Sequence, residues 1–337
     1  MNKLQIKGLK GSAVKKEVER FMSENIIEMM NQPGSNHWSK NWSDGQAMNQ
    51  DGTPYKGYNA LVLPWVKHQN NFKSDYWGTF KNWQSKGFKV QKGEKSTAII
   101  FSSPIIEDTE VDGVMKQRLK YFVYNVYSVF NASQVINIKS GELGDTCEPY
   151  SIQRPTDVEF NMDLTQQVID SYLASQKIEL KEGGNRAYYS PSQDFIGMPE
   201  RSSFFDNGVT ADHSYKSTLL HEIGHSTGHE SRLKRPFNNM FGDDEYAFEE
   251  LIAEFTAVFM SGHTGLTVSP PMNHASYLKS WNRRYREDSR YIVKAISKAS
   301  KASQYIIDNS CLAEQQQEEV KEKPVKYETV ALIKRSA

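Results

Sequence analysis

Two histidines and a glutamate stand at the spacing that lets one face of a helix bind a metal ion. His221, Glu222 and His225 form the pattern H-E-x-x-H. Residues four positions apart on a helix share a face, so both imidazoles can reach one ion. Glu222 is turned about 100° from His221, which places it beside a metal-bound water. The ion would lower the pKa of that water, and Glu222 could then act as the general base.

Such a site needs a third protein ligand, and the next helical stretch of the sequence supplies acids. Glu250 and Glu254 lie four residues apart and therefore share a helix face. Several zincin families place a ligand acid and a supporting acid in an E-x-x-A-[D/N] pattern here, which Glu250-x-x-Ala253-Glu254 resembles. We expect Glu250 to be the third ligand and Glu254 to support a ligand histidine, although the roles could be exchanged. These donors predict one divalent metal, namely zinc.

A third histidine continues the same series but is not an expected ligand. His229 follows His225 by four residues, and Gly228 interrupts the helix between them. We expect His229 to lie at the end of the helix or beside a ligand. Tyr188 and Tyr189, in a predicted edge strand, are candidates for polarising a substrate carbonyl.

The N-terminal part of the sequence is rich in aromatic residues and lysines. Five of the six tryptophans lie between residues 38 and 83, and residues 40–100 hold nine lysines against four acids. Lysines that contact phosphates and aromatic rings that stack on bases are the features of single-strand binding. Most of these rings must fill the core, so we expect exposure chiefly in polar loops next to lysines. The candidate DNA-binding residues are Tyr55, Lys56, Tyr58, Trp77, Lys92 and Lys95.

The formal net charge of the 337-residue chain is zero, with 41 basic and 41 acidic side chains, but this is a cancellation between segments. Residues 1–130 carry a net +6, residues 141–270 a net −12 and residues 271–311 a net +5. Overall neutrality argues against a simple nucleic-acid-binding protein, whereas this asymmetry indicates parts with different functions.

The periodicity of apolar residues predicts a two-domain α+β protein. Helices are predicted near residues 12–32, 59–70, 76–86, 163–176, 213–227, 245–261 and 275–308, and strands at 95–102, 120–130, 178–180, 187–190 and 194–196. Residues 107–117 are expected to connect the first two strands as a hairpin. Composition changes over residues 139–156, which predicts domains at 1–140 and 150–311 and a flexible tail at 312–337.

Cysteine use and the N-terminus indicate a cytoplasmic protein without a membrane anchor. Cys147 and Cys311 cannot form a disulfide framework, which favours a reducing compartment. The N-terminus lacks the apolar stretch of a signal peptide. The sequence also lacks the run of about 20 apolar residues that a membrane helix needs.

Four blocks of the sequence resemble the ArdC family of antirestriction proteins. These blocks are GTPYKGYNALVL (52–63), YWGTFKNWQSKGFKVQKGEKSTAIIF (76–101), HEIGHSTGHESRLKR (221–235) and FGDDEYAFEELIAEFTAVF (241–259). The resemblance implies an N-terminal domain that binds single-stranded DNA and a C-terminal zincin-like metallopeptidase domain. It also implies a protein of plasmids or other mobile elements that shields incoming DNA from host restriction. One departure is Ser226, where the family often has tryptophan.

Three functional hypotheses follow from these residues. The first is an antirestriction protein that binds single-stranded DNA non-specifically and carries a working metallopeptidase site for an unidentified protein substrate. The second is a DNA-binding protector whose metal site is structural or vestigial. The third is a protease that acts on DNA-bound proteins, with the N-terminal domain as its targeting part.

Overall fold

The computed structural model describes residues 4–6, 8–9, 11–30, 46–111, 114–151, 162–204, 210–236, 244–266, 283–288 and 290–313. For residues 30, 102–111, 114–122, 162–163 and 244 it describes the backbone alone. Several sequence predictions fall outside these ranges: the tail beyond residue 313, residues 152–156 of the domain boundary and the first part of the helix expected at 275–308. Among the described helices, none is long and apolar enough to cross a membrane.

The N-terminal part contains a four-stranded sheet with helices packed beside it. The strand order is β1-β2-β5-β4, in which β1 and β2 run parallel and the other pairs run antiparallel. Strands β3 and β6 form a separate antiparallel pair. The elements are α1 (Ser12–Met30), β1 (Met48–Asn49), α2 (Tyr58–Gln69), β2 (Tyr76–Thr79), α3 (Phe80–Ser85), β3 (Phe88–Val90), β4 (Thr97–Val111), β5 (Val114–Asn131) and β6 (Val135–Asn137).

The C-terminal part contains a small sheet and long helices. Its strand order is β7-β9-β8, with β7 and β9 parallel and β8 antiparallel at one edge. The elements are α4 (Met162–Gln176), β7 (Glu179–Glu182), β8 (Tyr188–Ser190), β9 (Phe195–Met198), α5 (Ala211–Ser226), α6 (Asp244–Thr264) and α7 (Tyr291–Asp308). The chain is therefore an α+β protein, as its sequence predicts.

Two local predictions are wrong. Residues 76–79 are not the start of a helix but form β2, which lies between β1 and β5 in the sheet. The helix begins only after Thr79, whose side-chain oxygen accepts a hydrogen bond from the Asn82 N–H at 3.2 Å. The hairpin connection expected at 107–117 is also too long, because the β4–β5 ladder continues to the pair Val111 and Val114.

Helix α6 contributes to both hydrophobic cores of the molecule. Leu251, Ile252 and Phe255 belong to a core that also contains residues of α1, α2, β2 and β4. Ala257 and Met260 belong to a second core, built with α4, α5 and the small sheet. Helix α7 divides in the same way, with its first half in the first core and its second half in the second core. These two helices therefore join the N-terminal and C-terminal parts through buried apolar contacts.

Helices α5 and α6 approach each other closely at a glycine. A Cβ atom placed on Gly224 would lie 3.1 Å from the Cα of Ala253 and 3.3 Å from the Cβ of Thr256. These distances are shorter than ordinary van der Waals contacts, so any larger side chain at position 224 would push the helices apart. The close approach brings the histidines of α5 within reach of the acids on α6.

Candidate metal centre

Helix α5 holds the two histidines of the motif on one buried face. The Thr210 side-chain oxygen accepts a hydrogen bond from the His213 N–H at 3.2 Å and so caps the start of the helix. Leu219, Leu220 and Ile223 are completely buried and anchor the opposite side of the helix in the second core. The packing of these apolar residues fixes the rotation of the helix and turns the histidines toward α6.

Glu250 completes a group of three buried donors. Ligand atoms of His221, His225 and Glu250 all lie within 4.8 Å of one another. The two Nε2 atoms are 3.1 Å apart, and the Glu250 oxygens lie 3.5 Å from each of them. Two imidazoles and one carboxylate are a donor set that catalytic zinc sites use together with an open coordination position.

Glu249, a residue to which the sequence assigned no role, supports His225. Its Oε1 lies 3.3 Å from His225 Nδ1. Arg235 donates to both oxygens of the same carboxylate, with Nη2–Oε1 at 2.6 Å and Nε–Oε2 at 2.9 Å. The guanidinium also donates to Thr227 Oγ1 and to the carbonyl oxygen of Gly224, both on or next to α5. Arg235 and Glu249 therefore fix the orientation of the His225 ring from behind.

Glu254 occupies the corresponding position behind His221. Its Oε1 lies 3.1 Å from His221 Nδ1, an ion-pair distance at which the two groups are not aligned for a hydrogen bond. Each histidine thus turns Nε2 toward Glu250 and Nδ1 toward another acid, a pattern that fixes the ring orientation in metal sites. His229 lies outside this cluster, where its Nδ1 is 2.7 Å from Ser231 Oγ.

Glu222 lies beside the donors and is almost fully buried. Burial raises the pKa of its carboxyl, and the nearby His221 and His225 oppose this rise. The backbone N–H of Tyr189, in the edge strand β8, donates a hydrogen bond to the Glu222 carboxylate. The phenol of Tyr189 donates to Asp194 Oδ1 at 2.7 Å, and Arg232 contacts the same acid. This network connects strand β8 to Glu222.

The carboxylates of the cluster favour the binding of a cation. Burial lowers the pKa of His221 and His225, but the adjacent carboxylates outweigh it, so that both pKa values are raised, to about 9 for His225. Burial raises the pKa of Glu250, but the two histidines outweigh it and hold this pKa far below its usual range. Buried carboxylates need compensating positive charge, which protonated imidazoles or a divalent metal can supply. The donors, their burial and their charge therefore fit a metal ion.

The three aromatic residues that the sequence offers for DNA binding are buried, so the predicted exposure of Tyr55 and Tyr58 in a polar loop is wrong. Tyr55 and Tyr58 are 8% and 4% exposed, and Trp77 is completely buried. Burial raises the pKa of Tyr55 to about 12, and the phenol oxygen of Tyr58 accepts a hydrogen bond from Asn25 at 2.9 Å. Trp77 lies in the interior strand β2 and packs edge-on against Phe72. All three rings belong to the first hydrophobic core.

The exposed groups of this region lie elsewhere. Lys56, Lys92 and Lys95 are exposed, as the sequence predicts. Phe101 of β4 and Tyr127 of β5 are 45% and 48% exposed, and their ring centroids are 5.7 Å apart. The sequence signal for these two residues was their place in alternating strands, which gives opposite faces to successive residues.

Comparison with known families supports the division of the chain into two parts. Residues 167–298 match the zincin-like metallopeptidase family model, and residues 15–130 match the model of the N-terminal domain of the anti-restriction factor ArdC. The fold and the donor cluster thus define a two-domain α+β protein with a zincin-like C-terminal domain.

Solved structures and curated relatives agree with this class. Crystal structures of the antirestriction protein ArdC from plasmid R388, one metal-free and one with Mn(II) bound, superpose with a TM-score of 0.64 at 28% identity. They cover 87% of this chain, and 97% and 98% of theirs. The chain is thus similar to the ArdC antirestriction protein in both of its parts.

Two kinds of curated relative are also similar. An uncharacterized protein of Sinorhizobium fredii, y4eC, is 29% identical over 86% of this chain and 90% of its own length. Two Escherichia coli DNA primases TraC are 29% identical over 87% of this chain. The chain spans only 27% and 20% of the length of these primases.

Proposed function

We propose that this chain is an antirestriction protein that binds single-stranded DNA and carries a metallopeptidase centre. We assign DNA binding to residues 1–140 and the metal centre to residues 150–311. The protein would act in the cytoplasm on incoming DNA of a mobile element. The observation that carries the proposal is the convergence of His221, His225 and Glu250 within 4.8 Å, with a further acid behind each imidazole.

In this proposal His221 Nε2, His225 Nε2 and a Glu250 oxygen hold one divalent metal, for which zinc is our expectation. When bound, a metal of this kind activates water as a nucleophile and polarises a carbonyl group. The structure of the R388 protein with Mn(II) bound supports a divalent metal as the ion.

Glu222 is the proposed general base. It adjoins His221 along the helix and shares a buried, water-poor environment with the ligands. The Tyr189 N–H donates to its carboxylate, and the two carboxylate oxygens have further lone pairs that can accept a proton from a nucleophilic water. Strand β8 brings Tyr189 to this place because it forms the edge of the small sheet.

The test of this proposal separates metal binding from cleavage. We expect Glu222→Gln to retain one metal per chain by elemental analysis and to lose proteolysis in a proteome-wide cleavage screen. Wild-type protein without bound metal would reject the proposal. His221→Ala provides the matched control and should lose the metal.

A second candidate function is favoured by the burial of the centre. Glu222 is only 7% exposed, and the three ligands are buried as well. A peptide must reach these groups for cleavage, whereas a structural metal needs no access. In this candidate the protein protects DNA by binding it, and the metal stabilises the C-terminal domain. Equal protection of transferred DNA by Glu222→Gln and wild type, with no cleavage by either, would favour it.

A further inference from the structure

One face of the β4–β5 ribbon presents aromatic rings to solvent. Cross-strand neighbours Phe101 and Asn125, and Ile99 and Tyr127, place Phe101 and Tyr127 diagonally on the same face. Both rings are about half exposed, and they meet edge to face. Val123, two residues from Asn125 on the same strand face, is also exposed. Two exposed rings in contact are unusual for a surface without a partner, because their burial would stabilise an interface.

A lysine follows a residue that contacts this aromatic face. The Phe101 ring lies 6.3 Å from the ring of Tyr55, and Lys56 follows Tyr55 in the chain. Lys56 Nζ donates to Gln304 Oε1 of α7 at 2.9 Å. A lysine ammonium has three donors, so two remain for other acceptors. Next to this contact lies a small cavity of about 50 Å³, lined in part by Tyr55, Lys56 and Gln304.

Helix α7 continues the positive charge away from this junction. Lys298 and Lys301 are exposed and lie six and three residues before Gln304, on one side of the helix. The opposite side, including Ala295, Ile296 and Ala299, is buried in the first core. Lys294 stands further along the same side, where Asp288 Oδ2 accepts from its Nζ at 2.7 Å. A row of positive charge therefore extends from Lys56 along α7.

We propose that single-stranded DNA follows this continuous path across both parts of the chain. Bases stack on Phe101 and Tyr127, and phosphates contact Lys56, Lys301 and Lys298. The inference rests on the proposed DNA-binding function and adds the location of the strand. Exposed rings favour a single strand, since duplex bases are already stacked on one another, and the lysine row complements a phosphate backbone.

The path also gives a role to the basic C-terminal segment. Residues 271–311 carry a net +5, although they follow a stretch with a net −12. On this proposal, α7 belongs to the DNA-binding surface as well as to the core that supports the metal centre. A strand bound there would lie against the helix that packs on α6.

The experiment uses the full chain and labelled oligothymidylate in a fluorescence-anisotropy titration at several salt concentrations. Phe101→Ala and Tyr127→Ala should each weaken binding about 5- to 150-fold, the range expected for one stacked base, with an unchanged salt dependence. The double variant Lys298→Gln/Lys301→Gln should reduce the slope of log K against log salt by about 1.4, or 0.7 for each lost phosphate contact. The control Lys139→Gln/Lys234→Gln removes the same charge from two exposed lysines that are not part of the proposed path, and it should retain the wild-type slope.

The outcomes separate this inference from the function on which it rests. A wild-type protein that does not bind the oligonucleotide would reject both the path and the proposed DNA-binding function. If the wild-type protein binds DNA, but the path variants bind with the same affinity and salt slope as the control variant, the path is rejected and the DNA-binding function stands. Unchanged DNA affinity together with altered sedimentation of Phe101→Ala would identify the aromatic face as a contact between two copies of the chain, and would also overturn the path.

Discussion

Arg235 and Glu249 form a buried bidentate ion pair between the end of α5 and the start of α6, in which the guanidinium donates to both carboxylate oxygens. The pair stands directly behind His225, whose Nδ1 faces Glu249. It therefore connects the loop that follows α5 with the second helix of the metal centre.

We expect Arg235→Ala to destabilise the protein by about 3–5 kcal/mol, because it leaves the buried Glu249 carboxylate without its partner. Urea unfolding monitored by circular dichroism measures this loss. Glu249→Gln should lower the affinity for the metal about 10- to 100-fold, since the support of His225 changes while the ligands remain. The exposed substitution Glu230→Gln is the control. Metal affinity that stays at the wild-type value in Glu249→Gln would contradict this role.

The close contact at Gly224 predicts a second effect on the metal centre. Gly224→Ala places a Cβ atom 3.1 Å from the Cα of Ala253, so α5 and α6 must separate by a few tenths of an ångström. Overpacking of this kind costs about 1–3 kcal/mol, and it should also weaken metal binding. Gly262→Ala in α6 has open space around the new Cβ and is the matched control. Competition with a chromophoric chelator measures the metal affinity of both variants. Equal affinities would contradict the claim that the contact at Gly224 positions the metal ligands.

The buried Trp77 predicts a loss of stability where the sequence predicted a loss of DNA contacts. Trp77→Ala should destabilise the fold by about 3–5 kcal/mol, since it removes a completely buried ring. Phe80→Ala, at a ring that is more than half exposed, should change stability by less than about 0.5 kcal/mol. Chemical denaturation of both variants checks this. A Trp77→Ala protein with wild-type stability and reduced DNA affinity would instead support Trp77 as a DNA-binding residue, as the sequence suggested.

His263 predicts a dependence of stability on pH. Burial, followed by the charge of Lys56, lowers its pKa to about 4, whereas an unfolded histidine titrates near 6.5. The unfolded chain therefore binds more protons between these values. The contribution of neutral His263 to stability is complete above pH 6.5 and falls, by roughly 2–3 kcal/mol in total, as the pH decreases toward 4.

The variant His263→Gln should lose this part of the pH dependence, and the exposed His68→Gln should retain it. Thermal unfolding at a series of pH values measures the difference. Parallel curves for wild type and His263→Gln would exclude His263 as the source.

The cluster of metal-ligand donors was largely predictable from the sequence, whereas the burial of the N-terminal aromatic rings was not. The spacing of His221 and His225 and the paired acids of α6 are local patterns, and helix periodicity alone places each pair on one face. Glu249 and Arg235 were missed because their pairing depends on a turn between two helices. Tyr55 and Tyr58 stand among polar neighbours in the sequence, so nothing local shows that both rings lie in the first core.

The division of α6 between two cores has a consequence for how the protein unfolds and evolves. Its Leu251, Ile252 and Phe255 complete the interior of the N-terminal part, while Glu250 and Glu254 stand at the metal centre. A fragment that ends near residue 140 would lack one wall of its own interior and would be prone to aggregate. Heating should therefore unfold both parts in a single cooperative transition. A genetic exchange that replaces one part of the protein must also preserve the residues that pack against α6.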